Sequence, residues 1–259
     1  MGSPRVRRRR PKVLRTGHAY EDIAALLADV KPKGRCLDLP AGTGVNIDGI
    51  RRAGFEPVAA DLFPEKAAGK GAECVRVDFT QPLPFADGSF AAVLCSEGIE
   101  HSPNQLQLVR EFARVLRPGG ALLITTPNVL NLRARLTYLL TGHPATACLP
   151  ISEASHVRAV SPQGGIYIHH VFLISYFALR FLLKLAGFGE IRVTTAKYSP
   201  TAIALAPVLW LPVRLATGRL VARLRRAGHP DIAAELISHV MSADMLLGKK
   251  LILLARKKG

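Results

Sequence analysis

The stretch RCLDLPAGTGVN, residues 35–46, decides the fold of this chain. It opens with an apolar run typical of a buried strand and continues into a loop that contains Gly42 and Gly44. Glycines let the backbone come close to a ligand, and a helix that follows such a loop offers free amide groups and a partial positive charge. The stretch therefore predicts a strand that turns into a ligand-binding loop.

Two positions restrict which ligand this loop suits. A dinucleotide-binding loop reads GxGxxG, with a third glycine that packs the helix against the strand, but here that position is Ile47. Nucleotide-binding loops also usually carry a glycine where this chain has Pro40. Proline lacks an amide hydrogen and holds φ at about −65°. The loop therefore fits a dinucleotide poorly, while Gly42 and Gly44 still permit another nucleotide ligand.

Strand-like and helical segments alternate outward from this loop, which predicts βαβ units and a parallel sheet covered on both faces. The predicted strands are RCLDL (35–39), EPVAADL (56–62), AECVRVDF (72–79), AAVLCSE (91–97), ALLITTPN (121–128), EIRVTTAKY (190–198) and KKLILLARKK (249–258). The predicted helices are AYEDIAALLADV (19–30), VNIDGIRRAG (45–54), PNQLQLVREFARVLRPGG (103–120), VLNLRARLTYLLTGH (129–143) and VFLISYFALRFLLKLAGFG (171–189). Residues 144–165 are predicted to be irregular.

Polar residues stand where these strands end, and parallel strands bring their carboxyl ends to the edge of the sheet at which ligands bind. An acid after the second strand, Asp61, suits the two hydroxyl groups of a ribose. Asp78 after the third strand, with Phe79 beside it, suits the amino group and the ring face of an adenine. The polar strand-end residues are Asp38, Asp61, Asp78, Ser96 and Glu97.

Four segments resemble one known family, the class I S-adenosylmethionine (SAM)-dependent methyltransferases, in the small-molecule branch of types 11 and 23. They are LDLPAGTG, AADL, VDFTQPLPFADGSFAAVLCSEGIEH and EFARVLRPGGALLITTPN, and the later HHVFLISYFALRFLLKLAGF is similar to the penultimate helix of that branch. The resemblance covers roughly residues 20–198 and the final strand. It implies a Rossmann-like, doubly wound α/β fold, with a seven-stranded, mostly parallel sheet and an antiparallel last strand.

The resemblance also implies SAM as the cofactor and a role for each matching residue. Asp38 orders the loop and meets the methionine amino group, and Ala41, Gly42 and Gly44 let the cofactor approach. Asp61 holds the ribose, with Leu62 beside it, Asp78 and Phe79 bind the adenine, and Ser96 and Glu97 border the sulfonium.

The chemistry of methyl transfer is an in-line displacement at a carbon that the sulfonium has already activated, so that the protein mainly aligns the acceptor. A general base is needed only when the acceptor is a poorly ionised group such as a hydroxyl. Glu97, Glu100 and His101 lie just beyond the fourth strand, and His101 is the predicted base. The alternative is a pair of residues, Glu100 and His101, that only make local hydrogen bonds.

The remaining histidines and the cysteines indicate no metal site. His156, His169 and His170 do not have a metal-ligand spacing with Cys or carboxylate partners. His170, at the entry to the long apolar helix, is instead a predicted substrate contact. The four cysteines form no CxxC pair and stand mostly in apolar runs, which predicts buried thiols in a reducing compartment.

Positive charge is concentrated at the edges of the chain, whose net charge is +16. Residues 1–17 read as a disordered basic arm without the apolar segment of a secretory signal. We assign residues 18–198 and 246–259 to a methyltransferase domain and residues 199–245 to an apolar and basic helical insertion. These basic segments predict an anionic partner surface, either a membrane or a nucleic acid. The alternative is that they only keep the protein soluble.

The insertion has two interpretations. Its segment YSPTAIALAPVLWLPV runs sixteen residues without charge, which is shorter than the roughly 20 that a spanning helix needs, and it contains three prolines. No membrane span is therefore predicted. The following RLATGRLVARLRR mixes leucine and valine with arginines, as expected of a helix that lies in a bilayer interface. The alternative is a cap over the active site.

These observations favour a SAM-dependent methyltransferase that acts at oxygen on a small-molecule, lipid-linked or glycan-linked acceptor. TTPNVLNLRARLTYLLTGH is similar to a segment of methyltransferases that act on bacterial surface glycans. A cytoplasmic location is expected, at or near the inner face of the membrane. One alternative is a non-catalytic membrane-associated protein with this fold. The other is a nucleic-acid methyltransferase, which is disfavoured because CSEGIE replaces the usual Asn/Asp-Pro-Pro-aromatic motif and the basic arm lacks interleaved aromatics.

Overall fold

A computed structural model describes residues 19–143, 151–152, 157–160, 166–168 and 170–259. The predicted basic arm (1–17), Cys148, His156 and His169 lie outside these residues. The strands are β1 (Arg35–Asp38), β2 (Glu56–Asp61), β3 (Glu73–Arg76), β4 (Phe90–Ser96), β5 (Leu116–Pro127), β6 (Val157–Val160), β7 (Ile166–Ile168), β8 (Phe188–Thr194) and β9 (Lys250–Lys257). The α-helices are α1 (Ala19–Ala28), α2 (Ile47–Arg52), α3 (Gln105–Val115), α4 (Leu132–Thr141), α5 (Tyr176–Leu185), α6 (Pro200–Arg226), α7 (Pro230–Val240) and α8 (Ala243–Leu247).

The main sheet has seven strands in the order β3-β2-β1-β4-β5-β9-β8. The pairs β1–β2, β1–β4, β2–β3 and β4–β5 are parallel, whereas β9 runs antiparallel to both β5 and β8. The predicted α/β fold, with a mostly parallel sheet and an antiparallel last strand, is therefore confirmed. The chain order reverses between β1 and β4, which is where ligands bind in open sheets of this kind.

Two apolar cores cover the two faces of this sheet. Successive strand residues point to opposite faces, so that Leu37 of β1 joins a core with Phe112 of α3, whereas its neighbour Cys36 joins a core with Leu27 of α1. Both faces are apolar because helices bury both of them, and this is why the central strands read as continuous hydrophobic runs rather than as alternating ones.

The predicted insertion is helical, and it contributes to the main core. Its helices α7 and α8 place Leu236, Val240 and Met245 in the same apolar cluster as Leu37. Arg180 of α5 binds Glu235 of α7 through Nε at 2.9 Å and Nη2 at 2.6 Å. The segment therefore packs as part of the body around the sheet, while its boundaries as a separate domain stay a prediction.

Several predicted boundaries are wrong for local reasons. The helix predicted over residues 103–120 ends at Val115, because residues 117–120 instead form an irregularity in β5, where the register with β4 shifts between Phe90 and Ala92. The helix predicted over residues 171–189 begins only at Tyr176, where the Ser175 hydroxyl accepts a hydrogen bond from the amide of Ala178.

The irregular stretch predicted at 144–165 contains part of a small antiparallel sheet, formed by β6 and β7. Strands of four and three residues are too short to produce a recognisable period of two in the sequence. The three cysteines that the structure describes, Cys36, Cys74 and Cys95, are free thiols. Burial raises the pKa of Cys36 and Cys95, which keeps these thiols protonated.

Candidate active site

The predicted strand-end residues lie along one edge of the sheet. Asp38 is the last residue of β1, Asp61 of β2 and Ser96 of β4, and these three strands run parallel. Asp78 follows the end of β3 by two residues. The carboxylates that the sequence assigns to one ligand therefore meet at one edge, and cations such as an ammonium or a sulfonium suit their charge.

The glycine loop after β1 is held by the strands on either side of it. The amide of Leu39 donates to the Leu94 carbonyl of β4 at 2.9 Å, and the amide of Ala41 donates to the Ala60 carbonyl of β2 at 2.9 Å. Gly42 has a φ of +55° and its amide donates to Oδ2 of Asp61 at 2.8 Å. A Cβ added at Gly42 would meet no atom within 4 Å, so that one side of the loop backbone is open to a ligand.

The second glycine and the residue that replaces the third have packing roles. Gly44 has a φ of +72°, and a Cβ added there would lie 2.8 Å from Cδ1 of Ile47. Ile47 is fully buried, and its side chain therefore fills the space between α2 and the loop. This explains why the chain needs glycine at position 44 and tolerates isoleucine at position 47.

Pro40 packs against the turn that follows β4. A Cβ added at Gly98 would lie 2.2 Å from Cδ of Pro40 and 2.9 Å from Sγ of Cys95. The proline ring is thus accommodated because position 98 has no side chain. This contact joins the glycine loop directly to the turn that carries Glu97 and Glu100, a coupling that no sequence motif reveals.

Asp38 is fully buried beside the loop and is only partly satisfied. Its Oδ1 accepts a hydrogen bond from Nδ2 of Asn46 at 3.3 Å, whereas its Oδ2 has no hydrogen-bond partner among the described residues. Burial raises the pKa of Asp38 to about 8, the Asn46 amide lowers it, and the nearby Asp61 adds to the increase. An ammonium group placed here would supply the missing donor and favour the ionised carboxylate, so that this position fits the amino group of SAM.

We expect the stability of the ligand-free protein to fall as the pH rises from about 5 to about 8. Asp38 keeps its proton up to about pH 8 when folded, but in the unfolded chain the carboxyl loses it near its ordinary pKa of 3.8. The Asp38 carboxyl alone should then lower the free energy of unfolding by about 1.4 kcal/mol per pH unit, and Glu100, whose pKa is also raised to about 8, adds to the decrease. Urea unfolding across this range measures the slope. Asp38→Asn should make the slope less steep by that amount and leave the contribution of Glu100. Asp48→Asn on α2 should not change the slope, and an unchanged slope in Asp38→Asn would contradict the prediction.

Asp61 is oriented by two backbone amides. Its Oδ2 accepts from the Gly42 amide at 2.8 Å and its Oδ1 accepts from the Phe63 amide at 2.9 Å. Each carboxylate oxygen retains a second lone pair, which is the acceptor that a ribose hydroxyl requires. Leu62 is half-buried beside it, and its carbonyl accepts from Nη1 of Arg76. The role of Asp61 and Leu62 at the ribose stays a prediction that this geometry permits.

The predicted adenine residues lie in a turn after β3. Oδ1 of Asp78 accepts from the amide of Thr80 at 2.9 Å and from its hydroxyl at 2.7 Å. Phe79 is half-buried and packs against the core. The turn fixes the Asp78 carboxylate, and contact of Asp78 and Phe79 with an adenine stays a prediction.

Glu97 follows β4 in an unusual backbone conformation. Its φ is 51°, and its amide donates to the carbonyl and the hydroxyl of Thr125 at 3.0 and 3.1 Å. Its Oε2 lies 3.1 Å from Nζ of Lys250, and the Ser96 hydroxyl lies 3.3 Å from that of Thr125. A non-glycine residue at positive φ costs backbone energy, and such residues concentrate at functional sites.

Glu100, His101 and His170 form a buried cluster next to this turn. Nε2 of His170 lies 3.6 Å from Oε1 of Glu100, and the rings of His101 and His170 are 5.0 Å apart between centroids. Oε2 of Glu100 accepts from the Thr126 hydroxyl at 3.0 Å. Burial, and after it the charge of Glu97, raise the pKa of Glu100 to about 8. His170, like Glu97, has a positive φ, of 33°.

A cavity of about 330 Å³ opens beside this cluster. Of the predicted catalytic and substrate residues, Glu97 and His170 line it, and Glu100 contacts His170. The sequence reasoning missed the other polar residues of its wall, because they belong to distant segments whose meeting no local pattern indicates. The lining residues are Glu97, Pro127, Asn131, Arg133, Ala134, His170, Lys249 and Lys250.

The cluster of Glu100, His101 and His170 could also hold a metal ion. One ligand atom of each residue lies within 4.8 Å of the others. The sequence predicts no metal, because spacing rules consider residues that are near in the chain, whereas His170 is far from the other two. The absence of a metal therefore stays a prediction. Activity should be measured both with and without a divalent metal ion.

The comparisons with known proteins agree with the fold. The family described as "Methyltransferase domain" (Methyltransf_23) matches residues 6–191. A demethylmenaquinone methyltransferase of Mycobacterium tuberculosis is 39% identical over 125 residues, which are 46% of this chain and 53% of that protein. A ubiquinone biosynthesis O-methyltransferase of Xanthomonas campestris is 32% identical over 148 residues, which are 54% of this chain and 55% of that protein. The chain spans about half the length of these curated relatives.

A solved structure extends the likeness over nearly the whole chain. The crystal structure of a SAM-dependent methyltransferase from Archaeoglobus fulgidus covers 92% of this chain and 94% of its own, with a TM-score of 0.54 and 15% sequence identity. At this identity the likeness concerns the fold alone. Together with the family match over residues 6–191, it means that this chain belongs to the methyltransferase-domain family and has the class I SAM-dependent methyltransferase fold.

Proposed function

We propose that this protein transfers the methyl group of SAM to an oxygen atom of a small-molecule acceptor that is carried on a lipid or a glycan. The observation that carries the proposal is a juxtaposition at one sheet edge. The acids Asp38 and Asp61 end β1 and β2, and Glu97, which follows the neighbouring strand β4, lines a cavity whose wall also includes His170, backed by Glu100. The names of the two relatives, which refer to demethylmenaquinone and to ubiquinone biosynthesis, support a small-molecule acceptor.

SAM, when bound, supplies a methyl carbon that its sulfonium makes electrophilic. The protein's task is then to hold the cofactor and orient the acceptor. Asp38 would receive the amino group at its free Oδ2, and Asp61 would accept from the ribose hydroxyls. The open side of Gly42 lets the cofactor approach the backbone.

His170 would remove the proton of the acceptor hydroxyl. It lines the cavity, and Oε1 of Glu100 lies 3.6 Å from its Nε2. The imidazolium that forms would favour the ionised form of the Glu100 carboxyl, which would then stabilise it. His101, the base predicted from the sequence, lies beside His170 with the two ring planes tilted by 46°, and it contributes a second imidazole to the same cluster. A base in this position favours an acceptor whose hydroxyl is poorly ionised at neutral pH, which is the reason for proposing methylation at oxygen.

The charge of the cavity wall restricts the acceptor further. Arg133, Lys249 and Lys250 line it together with a single carboxylate, that of Glu97, and Lys250 pairs with that carboxylate. Two basic side chains thus remain without a carboxylate within 4.0 Å in the described part of the chain. An acceptor with a negatively charged group near the methylated oxygen would suit them.

We expect the purified protein to transfer tritiated methyl groups from SAM into the lipid or glycan fraction of a bacterial extract. The labelled product should survive mild base treatment, as an ether does and an ester does not. Asp61→Ala is the matched control, which should transfer less label when SAM is limiting, and added nucleic acid tests the disfavoured nucleic-acid substrate. If SAM and its demethylated product stabilise the protein in a thermal-shift assay but no fraction becomes labelled, the protein binds the cofactor without catalysing transfer. A cytoplasmic location belongs to this proposal, since SAM is made there.

A further inference from the structure

The helix α6 has an inner face and an outer face, and both are apolar in its first half. Its inner face packs against Leu132 of α4 and Leu246 of α8. Positions three and four residues apart share one face of a helix, which places the following side chains together on the inner side. They are Ala202, Leu205, Ala206, Leu209 and Val213.

The outer face of α6 is defined here by five apolar side chains that point away from this packing. They are between 45% and 73% exposed, which is unusual for large hydrophobic residues that stand side by side. A second exposed apolar group stands at the end of α4, which packs against α6: Tyr138, Leu139 and Leu140 are at least 60% exposed. The outer face consists of Ile203, Val208, Trp210, Leu211 and Leu215.

The same helix carries a strong positive charge and no acidic residue. The guanidinium of Arg214 lies over the ring of Trp210, 5.4 Å from its centroid. Basic residues follow the apolar half toward the end of the helix, and a tryptophan between apolar and charged groups is typical of a membrane–water interface. The basic residues are Arg214, Arg219, Arg223, Arg225 and Arg226.

We propose that the outer face of α6 and its arginines bind the surface of an anionic phospholipid bilayer, with the helix lying in the plane of the interface. Apolar side chains would enter the boundary between headgroups and acyl chains, and the arginines would pair with anionic headgroups. The net charge of +16 gives the whole protein the sign that such a surface attracts.

Two other arrangements fit the observations less well. By length and composition α6 could cross a membrane. Eighteen of its residues in a row form an apolar stretch, and only 6% of that stretch is buried inside the protein. However, its inner face is occupied by α4 and α8, and Pro207 and Pro212 interrupt its hydrogen bonding. A second copy of the chain on the same face could cover the apolar side chains, but its α6 would offer the arginines no acidic partner, because α6 contains no Asp or Glu.

The position of α4 links this surface to the cavity. Arg133 and Ala134, in the first turn of α4, line the cavity, and the same helix packs against α6. A protein held at a bilayer by α6 would therefore keep its cavity close to the lipid surface. The link between the bilayer and the cavity rests on the proposed function, because only a lipid-linked acceptor would benefit from it. The binding of α6 to the bilayer does not depend on the proposed function.

Trp210 is the only tryptophan in the chain, so that its fluorescence reports on this surface alone. We expect its emission to shift to shorter wavelength with vesicles of phosphatidylcholine and phosphatidylglycerol, but not with phosphatidylcholine alone. Brominated acyl chains should quench it. The protein should sediment with the anionic vesicles and return to the supernatant in high salt, as an interfacial protein does and a spanning one does not.

Two sets of substitutions separate the apolar and the ionic contributions. Val208→Ser with Leu211→Ser and Leu215→Ser should remove the blue shift. Neutralising Arg219, Arg223, Arg225 and Arg226 to glutamine should weaken binding to anionic vesicles about tenfold or more. The matched control is Phe181→Ser with Leu185→Ser, which removes exposed apolar groups from α5 instead.

Far-ultraviolet circular dichroism and SAM binding check that every variant is folded. The proposal is overturned if the anionic vesicles cause no shift, or if both sets of substitutions bind as well as the wild type. It is also overturned if vesicle binding resists salt and alkaline carbonate, because this would indicate a spanning helix. A dimer that becomes a monomer when the three apolar residues are replaced by serine would indicate self-association and would overturn it as well. A failure of methyl transfer alone would refute the proposed function and leave the binding result unaffected.

Discussion

Asp61→Ala is expected to weaken SAM binding by about 2 kcal/mol or more, which corresponds to about a thirtyfold increase in Kd. The substitution removes a charged acceptor from the ribose position. It also leaves the amides of Gly42 and Phe63, which now donate to this carboxylate at 2.8 and 2.9 Å, without their partner. Isothermal titration calorimetry with the demethylated cofactor measures the loss without turnover.

Two further variants make this measurement specific. Asp61→Asn keeps one acceptor oxygen and no charge, so that its affinity should lie between those of the wild type and Asp61→Ala. Asp48→Ala removes an exposed carboxylate of α2 that pairs with Arg51, 3.2 Å away, and should bind as the wild type does. Full affinity in a folded Asp61→Ala protein would show that the cofactor binds elsewhere.

His170→Ala is expected to lower kcat by about a hundredfold to ten-thousandfold with SAM affinity unchanged, because a positioned general base contributes about that much. Glu100→Gln should have a smaller effect on kcat, since the imidazole would remain but lose the carboxylate that faces it at 3.6 Å. His101→Ala tests the base predicted from the sequence. The variant with the largest loss in kcat, and with an altered pH profile, identifies which imidazole accepts the proton.

The same measurements distinguish a base from a metal ligand or a simple substrate contact. Activity that a chelator abolishes and a divalent ion restores would mean that Glu100, His101 and His170 hold a metal ion. A His170→Ala change confined to KM would mean that this residue only binds the acceptor. Either result would contradict the general-base assignment, while methyl transfer itself would remain.

The alternation of apolar runs with helical segments was enough to predict a parallel sheet, because buried strands read as continuous apolar runs between helices. The antiparallel last strand was expected only from the family resemblance. The alternation was also enough to predict that Asp38, Asp61 and Ser96 share an edge, since the carboxyl ends of parallel strands lie at the same edge of a sheet. Boundaries were less predictable. Residues 117–120 look like the end of a helix, but their register with β4 makes them part of β5.

The acceptor side of the site could not be read from the chain in the same way. His170 faces Glu100 across 70 positions, and Lys250 reaches Glu97 from the last strand, because β9 enters the sheet antiparallel beside β5. Local sequence patterns record which residues are neighbours along a strand or helix. Contacts such as that of Pro40 with Gly98 arise only when separate segments pack together, and it is this packing that makes an edge of acids into a candidate catalytic site.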